Sequence, residues 1–413
     1  MISCKEACDI IYKAAKDRDL RTEMLPLSDI SGRICARDVF APIDIQPFDN
    51  SAMDGFAVFR DDLSSSSKNN PVTLAKVGGI AAGDCVSDIT LQRGACVQIM
   101  TGAPVPAGAN AIVPVELVSI NEEGVDFFSV PEQGAHIRRA GEDFKEGDLL
   151  LQKGQYLDTA HILPLATLGI SHVEVVKKPR VAFLSTGREL VDDLSSSLGS
   201  GQIYNSNRPY AVALLNDLGV ECFESLTIRD EPEDFIGVLS VLLGQDPDMI
   251  ISSGAVSAGA FDFVKSGLEA IGAEILYHKV KIKPGKPNLL ARLPNGTLYF
   301  GLPGNPVATA VGLRFFVELA IRAMSGLKNE CALEVILEQE YSKKEGLHMF
   351  LKGRLIYSKD GNLTVSVLEG QDSFMVSPFL KMNVWVSIPE EITNIKKGDF
   401  VDVYPLYPRE RLV

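Results

Sequence analysis

Two proline–glycine loops lie close together in this chain, KIKPGKP at residues 281–287 and GLPGNP at residues 301–306. The second follows the apolar run Leu298-Tyr299-Phe300 and precedes a helix-like stretch over residues 308–323. Upstream, Met249-Ile250-Ile251 runs into a loop of small residues at 252–259, which contains Ser253, Gly254 and Ser257. A strand that opens into a glycine loop and then a helix leaves backbone N–H groups free where an anion can dock. Loops of this kind gather at the carboxyl edge of a parallel sheet, where ligands of open α/β folds sit. Lys283 and Lys286 add positive charge from a turn that proline and glycine hold in shape. One such loop alone reads as an ordinary turn. Three within about sixty residues read as a nucleotide or anion site.

The texture changes along the 413 residues, a length that suits two to four domains. Residues 4–16 carry apolar positions at helical spacing, with Ser3 placed to cap them. Short β-like pieces separated by glycine and proline turns fill residues 46–134. Ser64 to Ser67 read there as a flexible loop tip. Residues 158–169 have helical character. From residue 177 to 326 strands alternate with helices in a βαβ rhythm. Beyond that, period-two alternation returns at 351–357, 363–368, 384–388 and 400–404. The expected fold is a multidomain α/β protein. Its centre is a three-layer α/β domain with a mainly parallel sheet at 177–326. A β-rich insertion domain occupies 46–134, and a discontinuous N-terminal linking domain occupies 1–45 and 135–176. A C-terminal β-barrel-like domain takes 327–413.

The net charge of −14 argues against a nucleic-acid partner, because phosphate backbones need a basic face. No apolar run reaches the length of a membrane span, and the opening residues carry Lys5, Glu6 and Asp9 in place of a secretory signal. Seven cysteines without a CxxC pair read as reduced thiols, so a cytoplasmic location is expected. The five histidines show no metal-ligand spacing and read as structural or exposed.

Four carboxylates stand beside turn glycines or loop ends: Asp54, Asp143, Glu189 and Asp262. Singly, each is a turn former or a cap. Next to an anion site they can hold Mg²⁺, which bridges carboxylates and phosphate oxygens and keeps several waters.

At these residues the chain resembles a known family. The motifs FDNSAMDGFAV, TGAPVPAGANAIVPVE, GEDF, STGREL, SSGAVSAGAFD, KPGKP and GLPGNPVA occur in that order. They are similar to those of the molybdopterin molybdenumtransferases, the bacterial MoeA proteins and the E domain of gephyrin. The resemblance covers nearly the whole chain and weakens after about residue 326. It implies insertion of molybdate into adenylylated molybdopterin with Mg²⁺, hydrolysis of the adenylate and release of AMP. It also implies a homodimer of four-domain subunits, with a cleft between the α/β domain of one and the β-rich domain of the other.

On this resemblance Asp54, Asp143, Glu189 and Asp262 match catalytic acidic positions, with Glu189 or Asp262 on the metal. Lys283 and Lys286 match oxyanion-binding lysines, while Pro303, Gly304, Asn305 and Pro306 form the substrate loop. Arg354, Ser373 and Ser377 are further contacts to the oxyanion. Two positions depart from the family pattern: Ala255 replaces the second glycine of the GGVS loop, and Ala260 stands where many members have glutamate. The alternative function is a non-catalytic or divergent paralogue that binds molybdopterin as a scaffold.

Overall fold

The computed structural model describes residues 1–18, 20–86, 89–255, 263–357 and 361–406. Its central sheet has six strands. In order across the sheet they are Glu221–Ile228, Arg180–Thr186, Met249–Ser253, Leu298–Leu302, Leu289–Arg292 and Glu274–His278. The first four pair parallel and Leu289–Arg292 pairs antiparallel with both of its neighbours, so the sheet is mixed but mainly parallel, as expected, with five strands pointing one way.

Alternation along the buried strands makes this domain three-layered. Val181, Phe183, Met249, Ile251, Leu298 and Phe300 face a core with α1 (Cys4–Lys16), α3 (Asn207–Asp217), α6 (Pro306–Gly312) and α7 (Glu318–Met324). Ala182, Leu184, Ile250 and Tyr299 face the other way, onto Phe235 and Leu239 of α4 (Pro232–Leu243) and Val264 and Leu268 of α5 (Phe263–Ala270). Period two sends neighbouring residues to opposite faces, and apolar residues at both positions require helices on both sides. α1 starts where the sequence suggests, with Ser3 and Glu6 forming a reciprocal cap. It contributes Ala7, Ile11, Ala14 and Ala15 to the α/β core, although its position in the chain groups it with the linking segment.

The second helix, α2 (Thr159–Thr167), lies in the linking segment and is capped by Asp158. A separate six-stranded sheet is built from residues between Gly55 and Phe127, around Phe56, Val113, Val125 and Phe127. Ser64 to Ser67 adjoin it as more than a loop tip. Ser66 is buried, and its hydroxyl donates to the carbonyl of Phe127. In the C-terminal region the strands Leu333–Leu337, His348–Tyr357, Leu363–Val367, Val384–Ile388 and Phe400–Pro405 pair in a closed circuit, which is a small barrel. Closure leaves no free edge among these five strands. Among the described residues, no helix is long and apolar enough to cross a membrane.

Candidate functional site

Parallel register brings the carboxyl ends of the Arg180–Thr186, Met249–Ser253 and Leu298–Leu302 strands level, so the loops that follow them meet. Gly254 N donates to Leu302 O at 3.0 Å. A Cβ placed on Gly254 would fall 2.5 Å from both the carbonyl oxygen and the hydroxyl of Thr186, and its φ of +101° also requires glycine. A Cβ on Gly304 would lie 3.5 Å from Gly254 Cα. Asn207, at the start of α3, donates from Nδ2 to Gly304 O at 2.8 Å. Pro306 opens α6, and the Thr309 hydroxyl donates to Pro303 O at 2.6 Å, which fixes the LPGNP turn against the helix start. Ser253, Gly254, Pro303, Gly304, Asn305 and Pro306 thus share one edge, as the sequence indicated.

The position after Gly254 departs from the family pattern in a way that carries a conformational cost. Ala255 has φ of +49°, the left-handed region in which an alanine methyl crowds the backbone. Ser257, Ala260 and Asp262 lie outside the described residues.

Glu189 sits on the loop after Thr186, with its carboxylate folded back so that a Cβ on Gly187 would touch it at 2.7 Å. Beside it is Asp230, just past the neighbouring strand Glu221–Ile228. The Asp230 carboxyl is raised above the ordinary aspartate range by burial and by the Glu189 charge. The Arg188 backbone N–H, the Arg188 charge and the Thr186 hydroxyl oppose the shift. Carboxylates are the oxygen donors that a hard divalent cation takes. Asp230 carries no glycine-loop signature, and the sequence reading missed it. Its only sequence signal is position, the first acid after a parallel strand.

Asp54 lies elsewhere, beside the β-rich sheet. Its Oδ1 accepts the Thr101 backbone N–H and the Thr101 hydroxyl, both at 2.7 Å, and these bonds hold it below the ordinary range. Asp143 belongs to the linking segment, where its N–H donates to Ile45 O at 2.8 Å. Among the described residues of this one chain, no hydrogen bond or ion pair joins Asp54 or Asp143 to the α/β loops.

The C-terminal barrel does reach the site. Ser373 accepts the Val307 N–H on its carbonyl at 3.2 Å and the Asn305 amide on its hydroxyl at 3.1 Å. The KPGKP turn lies against the same helix, since a Cβ on Gly285 would sit 3.6 Å from Ala308 O. Lys283 ends a short strand that pairs with the barrel strand at Met349, and the Lys286 carbonyl accepts the Val280 and Asn288 N–H groups. Arg354 and Ser377 are different: both are exposed, and neither bonds to the α/β loops among the described residues. The barrel cation whose ammonium bonds the Ser373 loop is Lys352, two residues before Arg354 on the same strand. Among the described residues, no group of three or more metal-ligating side chains is assembled. His348 is half-buried, 2.8 Å from the Ser387 hydroxyl, and desolvation pulls it down to about 4.

Three family models match in sequence: the MoeA N-terminal region (domain I and II) at residues 2–169, a "Probable molybdopterin binding domain" at 182–323, and the MoeA C-terminal region (domain IV) at 334–406. The chain is 35% identical over 410 residues to the molybdopterin molybdenumtransferase of Synechococcus elongatus, covering 98% of this chain and 100% of that one. To the molybdopterin molybdenumtransferase of Haemophilus influenzae it is 36% identical over 389 residues, 93% of this chain and 94% of the relative. A crystal structure of the molybdopterin biosynthesis MoeA protein from Pyrococcus horikoshii superposes with a TM-score of 0.85 at 28% identity, covering 99% of this chain and 100% of that one. The chain belongs to the molybdopterin molybdenumtransferase family.

Proposed function

We propose that this enzyme inserts molybdate into adenylylated molybdopterin, with Mg²⁺-dependent hydrolysis of the adenylate, and releases molybdenum cofactor and AMP. The observation that carries the reading is the meeting of the loops that carry Gly187, Gly254 and Gly304 at one end of the sheet, with Glu189 on the first of them and its charge felt by Asp230. Both substrates are anions. The loop amides and the lysines of the KPGKP turn are the groups that bind and orient them. Glu189 and Asp230 would hold Mg²⁺, with Asp262 as a further ligand from the sequence. Bound there, Mg²⁺ would neutralise phosphate charge and polarise the bond to be broken. The Asp230 carboxyl, raised by burial and by the Glu189 charge, takes up a proton more readily than an ordinary aspartate, so proton and cation compete for it. Asp54, held ionised by Thr101, is suited to accept a hydrogen bond from a water or a ligand hydroxyl.

Among the described residues Asp54 and Asp143 make no bond to the α/β loops of their own chain; the proposed enzyme is a homodimer in which the partner's β-rich region completes the cleft. A cytoplasmic location belongs to the same reading. The test supplies purified protein with adenylylated molybdopterin, molybdate and Mg²⁺. Molybdenum cofactor and AMP are expected in equal amounts, and absence of both rejects the reading.

A further inference from the structure

Asn205 lies just before α3 and is only 2% exposed. A buried amide is costly unless its polar atoms find partners. Here both of them do. Nδ2 donates to Asp192 Oδ1 at 2.9 Å and to the Thr227 hydroxyl at 3.0 Å. Oδ1 accepts the Arg208 N–H at 3.2 Å and, at the longer distance of 3.4 Å, the Ser185 hydroxyl. The four partners come from four places: the loop beyond Glu189, the edge strand Glu221–Ile228, the first turn of α3 and the strand Arg180–Thr186. Asp192 is held further. Its Oδ1 accepts the Thr227 hydroxyl at 2.9 Å, and its Oδ2 meets the Arg208 guanidinium at 3.1 Å. The backbone follows the same path, since Ile203 N donates to Glu189 O and Asn205 N donates to Val191 O, both at 2.9 Å.

We infer that Asn205 is a positioning residue for the carboxylates at the carboxyl end of the sheet: its amide ties the loop that carries Glu189 to the strand that leads into Asp230, and so holds the two in place for one cation. Glu189 is exposed, so the placement of its carboxylate depends on the loop backbone beneath it. That backbone cannot shift away from the edge strand without leaving buried donors of Asn205 unpaired. The position also needs an amide. Asp192 presents a negative charge that only a donor can face, whereas the Arg208 N–H on the other side needs an acceptor. The inference rests on the proposed transferase reading for the cation, and on geometry alone for the tie.

The test compares Asn205→Asp with the swapped pair, Asn205→Asp together with Asp192→Asn, in the full-length protein. It uses calorimetry with Mg²⁺ and hydrogen exchange at the Ile203 amide. Asn205→Asp sets two carboxylates face to face. It should weaken Mg²⁺ binding about tenfold, the usual cost of losing a group that orients a metal ligand, and should speed exchange at Ile203. The central-sheet amides of Ile251 and Phe300 should be unchanged. The swap restores one donor facing one carboxylate and should return both readouts to within about twofold of wild type, because the two residues act through one contact. A residue that only filled space would gain nothing from it. Asp192→Ala, at a side chain 39% exposed, replaces Asn205→Asp if that variant fails to fold, and should show the same two losses. Unchanged Mg²⁺ affinity or unchanged exchange in the single variant, or a swap that leaves either unrestored, overturns the inference. If the wild type binds no Mg²⁺, the functional reading fails at that step. Exchange at Ile203 still decides the tie, with full protection in Asn205→Asp counting against it.

Discussion

The two ends of the central sheet contrast in how they treat charge. At the amino end lies a cavity of about 810 Å³, lined by Arg18, Arg21, Arg180, Glu221, Asp246 and Asp248 among others. Its ions neutralise one another. Arg18 meets Asp248 at 2.9 Å, Arg21 meets Asp246 at 3.0 Å, and Arg180 faces Glu221 at 3.6 Å. At the carboxyl end the Glu189 charge raises the Asp230 carboxyl, and glycine loops leave the backbone open to a ligand. Unbalanced charge held by a rigid sheet is the better sign of chemistry, because a structural ion pair satisfies itself whereas a functional one waits for a ligand.

The largest expected effect belongs to the carboxyl end. Asp230→Asn should lower transfer turnover by about 100-fold or more while leaving the thermal midpoint nearly unchanged, as for loss of a group that assists the reaction. Proton and cation compete for this carboxyl. Its pKa is raised, so Mg²⁺ affinity of the wild type should begin to fall at a higher pH than an ordinary aspartate would give, and calorimetry should show a shallower fall in Asp230→Asn. An unchanged rate in that variant would erase the contrast between the two ends.

At the amino end the expectation reverses. Arg18→Met leaves Asp248, only 18% exposed, without its partner, and should reduce stability by about 1–3 kcal/mol in urea unfolding. Turnover should stay within twofold of wild type. A tenfold loss of turnover there would make the amino-end cavity part of the site. The smallest effect is at the strained loop residue. Ala255→Gly should raise stability by roughly 1 kcal/mol by relieving the left-handed alanine, read as a higher denaturation midpoint.

Much of the scaffold was legible because its signals are local. Apolar runs such as residues 181–184 and 249–251 can only be strands buried on both faces, and Ser3 with Glu6 marks a helix start without reference to anything distant. The glycine loops announced themselves for the same reason, and Gly254 is required both by its backbone angle and by Thr186. The barrel was legible as alternation, although its closure depends on which strands pair. Asp230 and Lys352 were not legible. An aspartate after a strand and a lysine within one are unremarkable until register sets the first beside Glu189 and folds a loop over the second. Arg354 and Lys352 are both cations on one strand, and only the structure shows that the first is exposed and the second buried.

The sequence by itself determined the family, the strand and helix segments of the α/β centre and the loops at its carboxyl edge, because periodicity and glycine placement are properties of neighbouring residues. Tertiary structure alone decided which carboxylate feels the Glu189 charge, which barrel cation is buried, and that among the described residues Asp54 and Asp143 bond outside the α/β loops. Charge interactions fall off with distance through space and take no account of distance along the chain.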